Sequence, residues 1–202
     1  MATVLDYAKL SNQIYEQSPS VDGWTLVGGQ RHTLPSGLIA GVFSKGQQQV
    51  VAFKGTSVST PSDLQADLAL GVGINSAYFR DADEFVGQHA SGAGIVATGH
   101  SLGGAVAQVV GNRRRLPFVT FNAPGVAIVS SRNLPTASPV MSAIRVVGGL
   151  MDAVLDPAQA ARDAASFFHV VNGKNFRLVA DPVSAIGLHY GDVISIVGFG
   201  AN

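Results

Sequence analysis

The stretch VATGHSLGGAVAQVVGN, residues 96–112, sets a histidine and a serine in a glycine run between an apolar strand and an apolar helix. Such a junction predicts a tight strand-to-helix reversal with Ser101 at its apex, in a strained backbone conformation. Residues two before and two after the apex approach neighbouring backbone closely, so both must lack a side chain. They are Gly99 and Gly103. The reversal predicts a hydroxyl standing exposed above the sheet, over a helix N-terminus that favours developing negative charge. With 24 glycines among 202 residues, a Gly-x-Ser-x-Gly can arise by chance. The strand before it, the helix after it, and the small Gly104, Ala105 and Ala107 give this one its meaning. A phosphate-binding loop fits less well, because no Lys-Ser/Thr follows and the GxGxxG spacing is absent.

Outward from this junction, strands and helices alternate. Val4, Ala8, Ser11 and Tyr15 share one face of an opening helix. LIAGVF (38–43) and VVAF (50–53) read as strands joined by the polar SKGQQQ turn. AYFRDADEFVGQHA (77–90) reads as a helix, GIVAT (94–98) as a strand, LGGAVAQVVGNRR (102–114) as a helix and FVTF (118–121) as a strand ending in the turn NAPG. AIRVV (143–147) is a further strand. DPAQAARDAASF follows as a helix with Asp156 at its N-cap and Pro157 at its first position. FFHVV and NFRLV read as a hairpin turning at NGK, with 176–179 antiparallel and at the edge. The alternation predicts one α/β domain over 1–202, with a mostly parallel sheet and helices on both faces.

Composition bounds the function. Apolar residues make up 47% of the chain and charged ones 13%, a globular balance. Thirteen basic and thirteen acidic side chains cancel, so no electrostatic case exists for nucleic acid or an anionic membrane surface. The run Arg113-Arg114-Arg115 reads as a solvated helix end. With no cysteine, disulfides, thiol catalysis and cysteine-held metals are excluded. The N-terminus lacks the basic start and apolar core of a signal peptide, and no run approaches the ~20 apolar residues of a membrane span. The expectation is a soluble chain, cytoplasmic or exported by a route that needs no cleavable signal.

Three segments together resemble the class 3 (fungal-type) lipases of the α/β-hydrolase fold and their small bacterial relatives. GHSLGG matches the lipase nucleophile elbow. VVAFKGTS resembles the strand and turn that supply the oxyanion hole, with Lys54 where those lipases usually carry arginine. FVTFNAPG resembles the strand after the elbow helix. The likeness spans about residues 38–192. It implies a compact α/β-hydrolase-like fold and a serine carboxylic ester hydrolase acting on acyl lipids, a lipase or phospholipase A, with neither metal nor cofactor. Its partners would be lipid or ester, met at a membrane or micelle surface. Also left open are an exported antibacterial toxin held by an immunity protein, a thioesterase or acyltransferase on the same triad, and a non-catalytic binding module.

A serine nucleophile needs a base and an orienting carboxylate, which in this fold follow in the order Ser, Asp or Glu, His. His32 and His89 precede the elbow, His100 adjoins it, and His169 sits in an apolar strand. His189, in a glycine-bracketed turn near the C-terminus, lies where the fold places its base. Asp152, in a stretch resembling the family's Arg-Val-Val…Asp-x-Val segment, is the expected acid. Asp156 reads as a helix cap, Asp163 as a solvated helix residue, and Asp181 as a rival beginning DPV. One oxyanion donor is the N–H of Leu102. By resemblance the second is Thr56, whose successors 57–72, with Leu64, Leu68 and Val72 at helical spacing, read either as a mobile lid or as a permanently packed surface helix.

Overall fold

A computed structural model describes residues 2–55, 76–92, 94–126, 172–181, 183–185, 187 and 189–197. The expected strand 143–147, the helix after it, FFHVV and segment 57–72 lie outside the described residues.

The chain opens with α1 (Val4–Gln13), whose start is a capping box: Thr3 and Asp6 satisfy one another's backbone N–H groups. Eight strands follow: β1 (Thr25–Leu26), β2 (His32–Thr33), β3 (Ile39–Lys45), β4 (Gln48–Phe53), β5 (Ile95–His100), β6 (Phe118–Phe121), β7 (Gly173–Leu178) and β8 (Asp192–Ile196). Helix α2 (Ser76–His89) lies between β4 and β5, and α3 (Leu102–Arg114) between β5 and β6. All eight strands form one sheet, ordered β1-β3-β4-β5-β6-β7-β8 with β2 also paired to β3. From β4 to β8 every neighbouring pair is parallel, while β1 to β4 pair antiparallel. This is an α/β-hydrolase-like fold, a mostly parallel sheet covered by helices on both faces.

Strand alternation assigns the two faces. Val42, Val51, Phe53, Ile95 and Ala97 pack with Phe79, Phe85 and Val86 of α2 and with Ala105, Val106, Val109 and Val110 of α3. Their neighbours Phe43, Val50, Ala52, Val96 and Val119 pack on the opposite face with Tyr7, Leu10, Ile14 and Trp24. Burying each such large side chain is worth about 1.5–3 kcal/mol.

Two expectations change. The β3–β4 strands run further into SKGQQQ than expected, because Gly46 at φ 61° lets the chain reverse within two residues. NGK is no hairpin turn: Gly173 and Lys174 are strand residues, in parallel register with Phe118 and Val119. Gly173 is glycine because the Phe118 ring occupies the space a Cβ would fill, and it does not adopt a positive φ. Strand β7 is therefore parallel and interior, flanked by β8, a strand the sequence reading did not assign. Among the described residues no helix is long and apolar enough to cross a membrane.

Candidate active site

The carboxyl ends of β4 to β8 point the same way, and Ser101 follows β5 at that edge. Its φ of 55° and ψ of −130° are strained for a residue with a side chain. Two backbone links hold the strain: Ser101 N–H donates to the Phe121 carbonyl at 3.1 Å, and its own carbonyl accepts from Gly104 and Ala105 at 2.9 and 3.1 Å. The Ser101 hydroxyl caps nothing in α3.

Close backbone approach surrounds both glycines. A Cβ on Gly99 would overlap the Gly103 backbone, and one on Gly103 would overlap the Phe53 carbonyl at the end of β4. The elbow is thereby seated directly on the β4 exit. Leu102 opens α3, where N–H groups lack intrahelical partners, and its side chain is buried. One expectation is corrected: Ser101 is only 6% exposed, so its hydroxyl does not stand in open solvent. Thr56 and Asp152 lie outside the described residues.

His189 lies in the segment joining β7 to β8. Its Nε2 donates to the Ser184 carbonyl at 3.1 Å, while Nδ1 is buried with no hydrogen-bond partner among the described residues. Burial lowers its pKa from the ordinary 6.5; the Ser184 carbonyl opposes this and the Arg177 charge adds to it. Among the described residues no hydrogen bond joins His189 to Ser101.

A buried polar net fixes the segment instead. Gln108, fully buried and seven residues along α3 from Ser101, accepts from Tyr190 N–H at 3.2 Å and donates to the Pro124 carbonyl at 3.0 Å. Asn175 accepts from the Thr120 hydroxyl at 2.6 Å and donates to the carbonyls of Tyr190 and Asp192 at 2.6 and 3.3 Å. Sequence reading missed Gln108 and Asn175. Their only signal was a polar side chain within an otherwise apolar helix or strand.

Nearer the elbow, the Tyr15 hydroxyl accepts from Gly55 N–H at 3.0 Å and lies 3.3 Å from His100 Nδ1. Lys54, the replacement for the lipases' arginine, holds its ammonium 5.5 Å from the Tyr15 ring centre. His100 is exposed at its edge, yet the protein around it still pushes its pKa below the ordinary value, with the Asp181 charge pulling it back up. Asp181 follows β7, three residues past Leu178, and accepts from Ser184 N–H at 2.8 Å. The expectation that it adjoins an antiparallel edge strand does not hold, since β7 is parallel to β6.

A family model described as a Tle-like phospholipase domain matches residues 6–139. A solved structure, an esterase/lipase from an uncultured bacterium, aligns over 88% of this chain and 71% of that one, at 11% identity and a TM-score of 0.33. No curated protein matches the chain.

Proposed function

Since this chain belongs to the family of Tle-like phospholipase domains, we propose that it is a lipase-like hydrolase that cleaves the carboxylic esters of acyl lipids through Ser101. The observation that carries the reading is the left-handed backbone of Ser101, a non-glycine residue held at φ 55° between a parallel strand and a helix. The resemblance to class 3 lipases supplies the remaining roles.

In this reading Ser101 Oγ attacks the ester carbonyl while His189 takes the hydroxyl proton. Collapse of the tetrahedral intermediate expels the alcohol, protonated by His189, and leaves an acyl-enzyme. Water, deprotonated by the same imidazole, then adds to the acyl carbon and releases the fatty acid with Ser101 restored. The N–H groups of Leu102 and Thr56 hold the developing oxyanion. Asp152 is the orienting acid, and the buried Nδ1 of His189, without a partner among the described residues, is the atom such a carboxylate engages. Engagement moves the ring proton to Nδ1, which frees Nε2 from the Ser184 carbonyl to act as base. One observation favours a second candidate acid: Asp181 stands past the end of a parallel strand, and its charge reaches His100 beside the nucleophile.

The test is labelling by a fluorophosphonate probe together with fatty-acid release from phosphatidylcholine vesicles. Wild type should show both; Ser101→Ala should fold, lose labelling, and lose kcat by ~10³ or more. Near-native turnover by Ser101→Ala would refute a serine mechanism. Asp152→Asn should cost up to ~10⁴-fold and Asp181→Asn far less, since a triad without its acid favours the wrong histidine tautomer. The reverse order would move the acid to β7.

A further inference from the structure

We propose that Tyr15 is a positioning residue for this reaction, its hydroxyl clasping the β4 exit to the nucleophile elbow. The inference rests on the serine-hydrolase reading above and adds to it a residue that no catalytic motif contains.

Three chain segments meet at one oxygen. Tyr15 follows α1, Gly55 follows β4, and His100 ends β5 beside Ser101. The Gly55 N–H donates to Tyr15 Oη at 3.0 Å, and Oη lies 3.3 Å from His100 Nδ1. The hydroxyl that accepts from Gly55 can donate its own proton to His100 in the tautomer whose Nδ1 is unprotonated. The surroundings favour both states. Burial raises the Tyr15 pKa, so the hydroxyl keeps its proton, and partial desolvation by the surrounding protein lowers that of the edge-exposed His100, which favours the neutral imidazole. In that tautomer a chain runs from Gly55 N–H through Tyr15 O–H to His100 Nδ1.

The clasp is itself held. Arg31 Nη1 donates to the carbonyls of Ile14 and Tyr15 at 3.1 and 3.0 Å, which fixes the backbone that carries the ring. Position 55 leaves no slack: a Cβ there would come within 2.5 Å of Tyr15 Oη and 2.7 Å of the His100 carbonyl. Gly55 immediately precedes Thr56, the proposed oxyanion donor. The Tyr15 hydroxyl therefore sets the spacing between the segment that stabilises the oxyanion and the segment that bears the nucleophile. Oxyanion donors act only when aligned before the reaction, so a loosened clasp lowers transition-state stabilisation more than ground-state binding.

Tyr15→Phe, made in the full chain, removes one hydroxyl and keeps the ring. Its kcat on a soluble p-nitrophenyl ester should fall about 10- to 100-fold with KM within about twofold. The Gly55 amide should shift in the 15N–1H spectrum and exchange faster with solvent. In a Gly55→Ala background, where the spacing is already broken, the further effect of Tyr15→Phe should shrink to about twofold or less. Tyr15→Phe with wild-type kcat, or with an unchanged Gly55 amide, overturns the clasp even if Ser101→Ala is dead and wild type takes the fluorophosphonate probe. A fall confined to KM, or full additivity with Gly55→Ala, overturns it equally. A wild-type chain inert to the probe instead removes the serine-hydrolase reading beneath it.

Discussion

Ser101, Gly99 and Gly103 form one unit at the residue scale, because each position in it is decided by backbone approach. Gly103→Ala would drive a Cβ into the Phe53 carbonyl, so it should lose about 3 kcal/mol or more in urea unfolding. Gly37→Ala meets no neighbour but must adopt φ 89°, and should lose only about 1–2 kcal/mol. Equal losses would mean that backbone strain, not crowding, decides the elbow glycines. His189 makes the pH behaviour predictable. Burial chiefly lowers its pKa from 6.5, and the proposed base must be neutral. The acid limb of the kcat profile should have its midpoint below 6.5 if burial governs the proposed base, and above it if a carboxylate engages Nδ1. Stability runs in the same direction. The unfolded chain takes up the proton near 6.5 and the folded chain only at lower pH, so stability is complete above 6.5 and declines as pH falls from there toward the folded value. His100 shifts the same way and adds to the decline. Melting temperature against pH for wild type and His189→Gln reads this directly; a wild-type curve flat between pH 7 and 5 would contradict it.

At the scale of elements, two attachments matter. The capping box of α1 holds Asp6 at a pKa of about 2, mainly through the Thr3 N–H and hydroxyl. Thr3→Ala should cost about 1 kcal/mol. The Asp6 contribution should be present above pH 4 and vanish as pH falls toward 2, because protonation removes the acceptor. Asn175→Leu would strip hydrogen bonds from Thr120, Tyr190 and Asp192 in the buried net. A loss of about 2–4 kcal/mol is expected, with kcat falling alongside as the segment bearing His189 loosens. Intact kcat in a folded Asn175→Leu would show that this segment needs no such anchor. These elements differ in how far the sequence revealed them. β3 to β6, α1, α2 and α3 were readable because apolar periodicity and glycine placement are local signals. Gly173 misled: a glycine needed for close packing looks in sequence like a turn. Of the site, the elbow was legible because everything that defines it lies within five residues. Gln108, Asn175 and Tyr15 were not, because their partners lie 15 to 85 positions away.

At the scale of the molecule, the family match ends at residue 139, yet the sheet does not. β7 pairs with β6 along 118–121, Phe121 stacks on Phe176 at 5.8 Å, and Asn122 receives the Leu178 N–H at 2.9 Å. A chain cut after residue 139 should therefore expose the β6 edge and the Phe118 ring. It should bind a hydrophobic dye, lack near-UV circular dichroism and hydrolyse nothing; a soluble, active fragment would show that β7 and β8 are dispensable. The same strand order bears on synthesis. The nucleophile strand, though central in the sheet, leaves the ribosome long before the β7–β8 hairpin-less pair and the histidine between them. Parallel partners so distant along the chain close late in folding. A half-made chain would thus carry Ser101 without His189, and the hydrolysis proposed above would wait until the last strands were in hand. The cost of that delay falls on β6, whose FVTF edge must wait unpaired, and it is there that a chaperone would have most to guard.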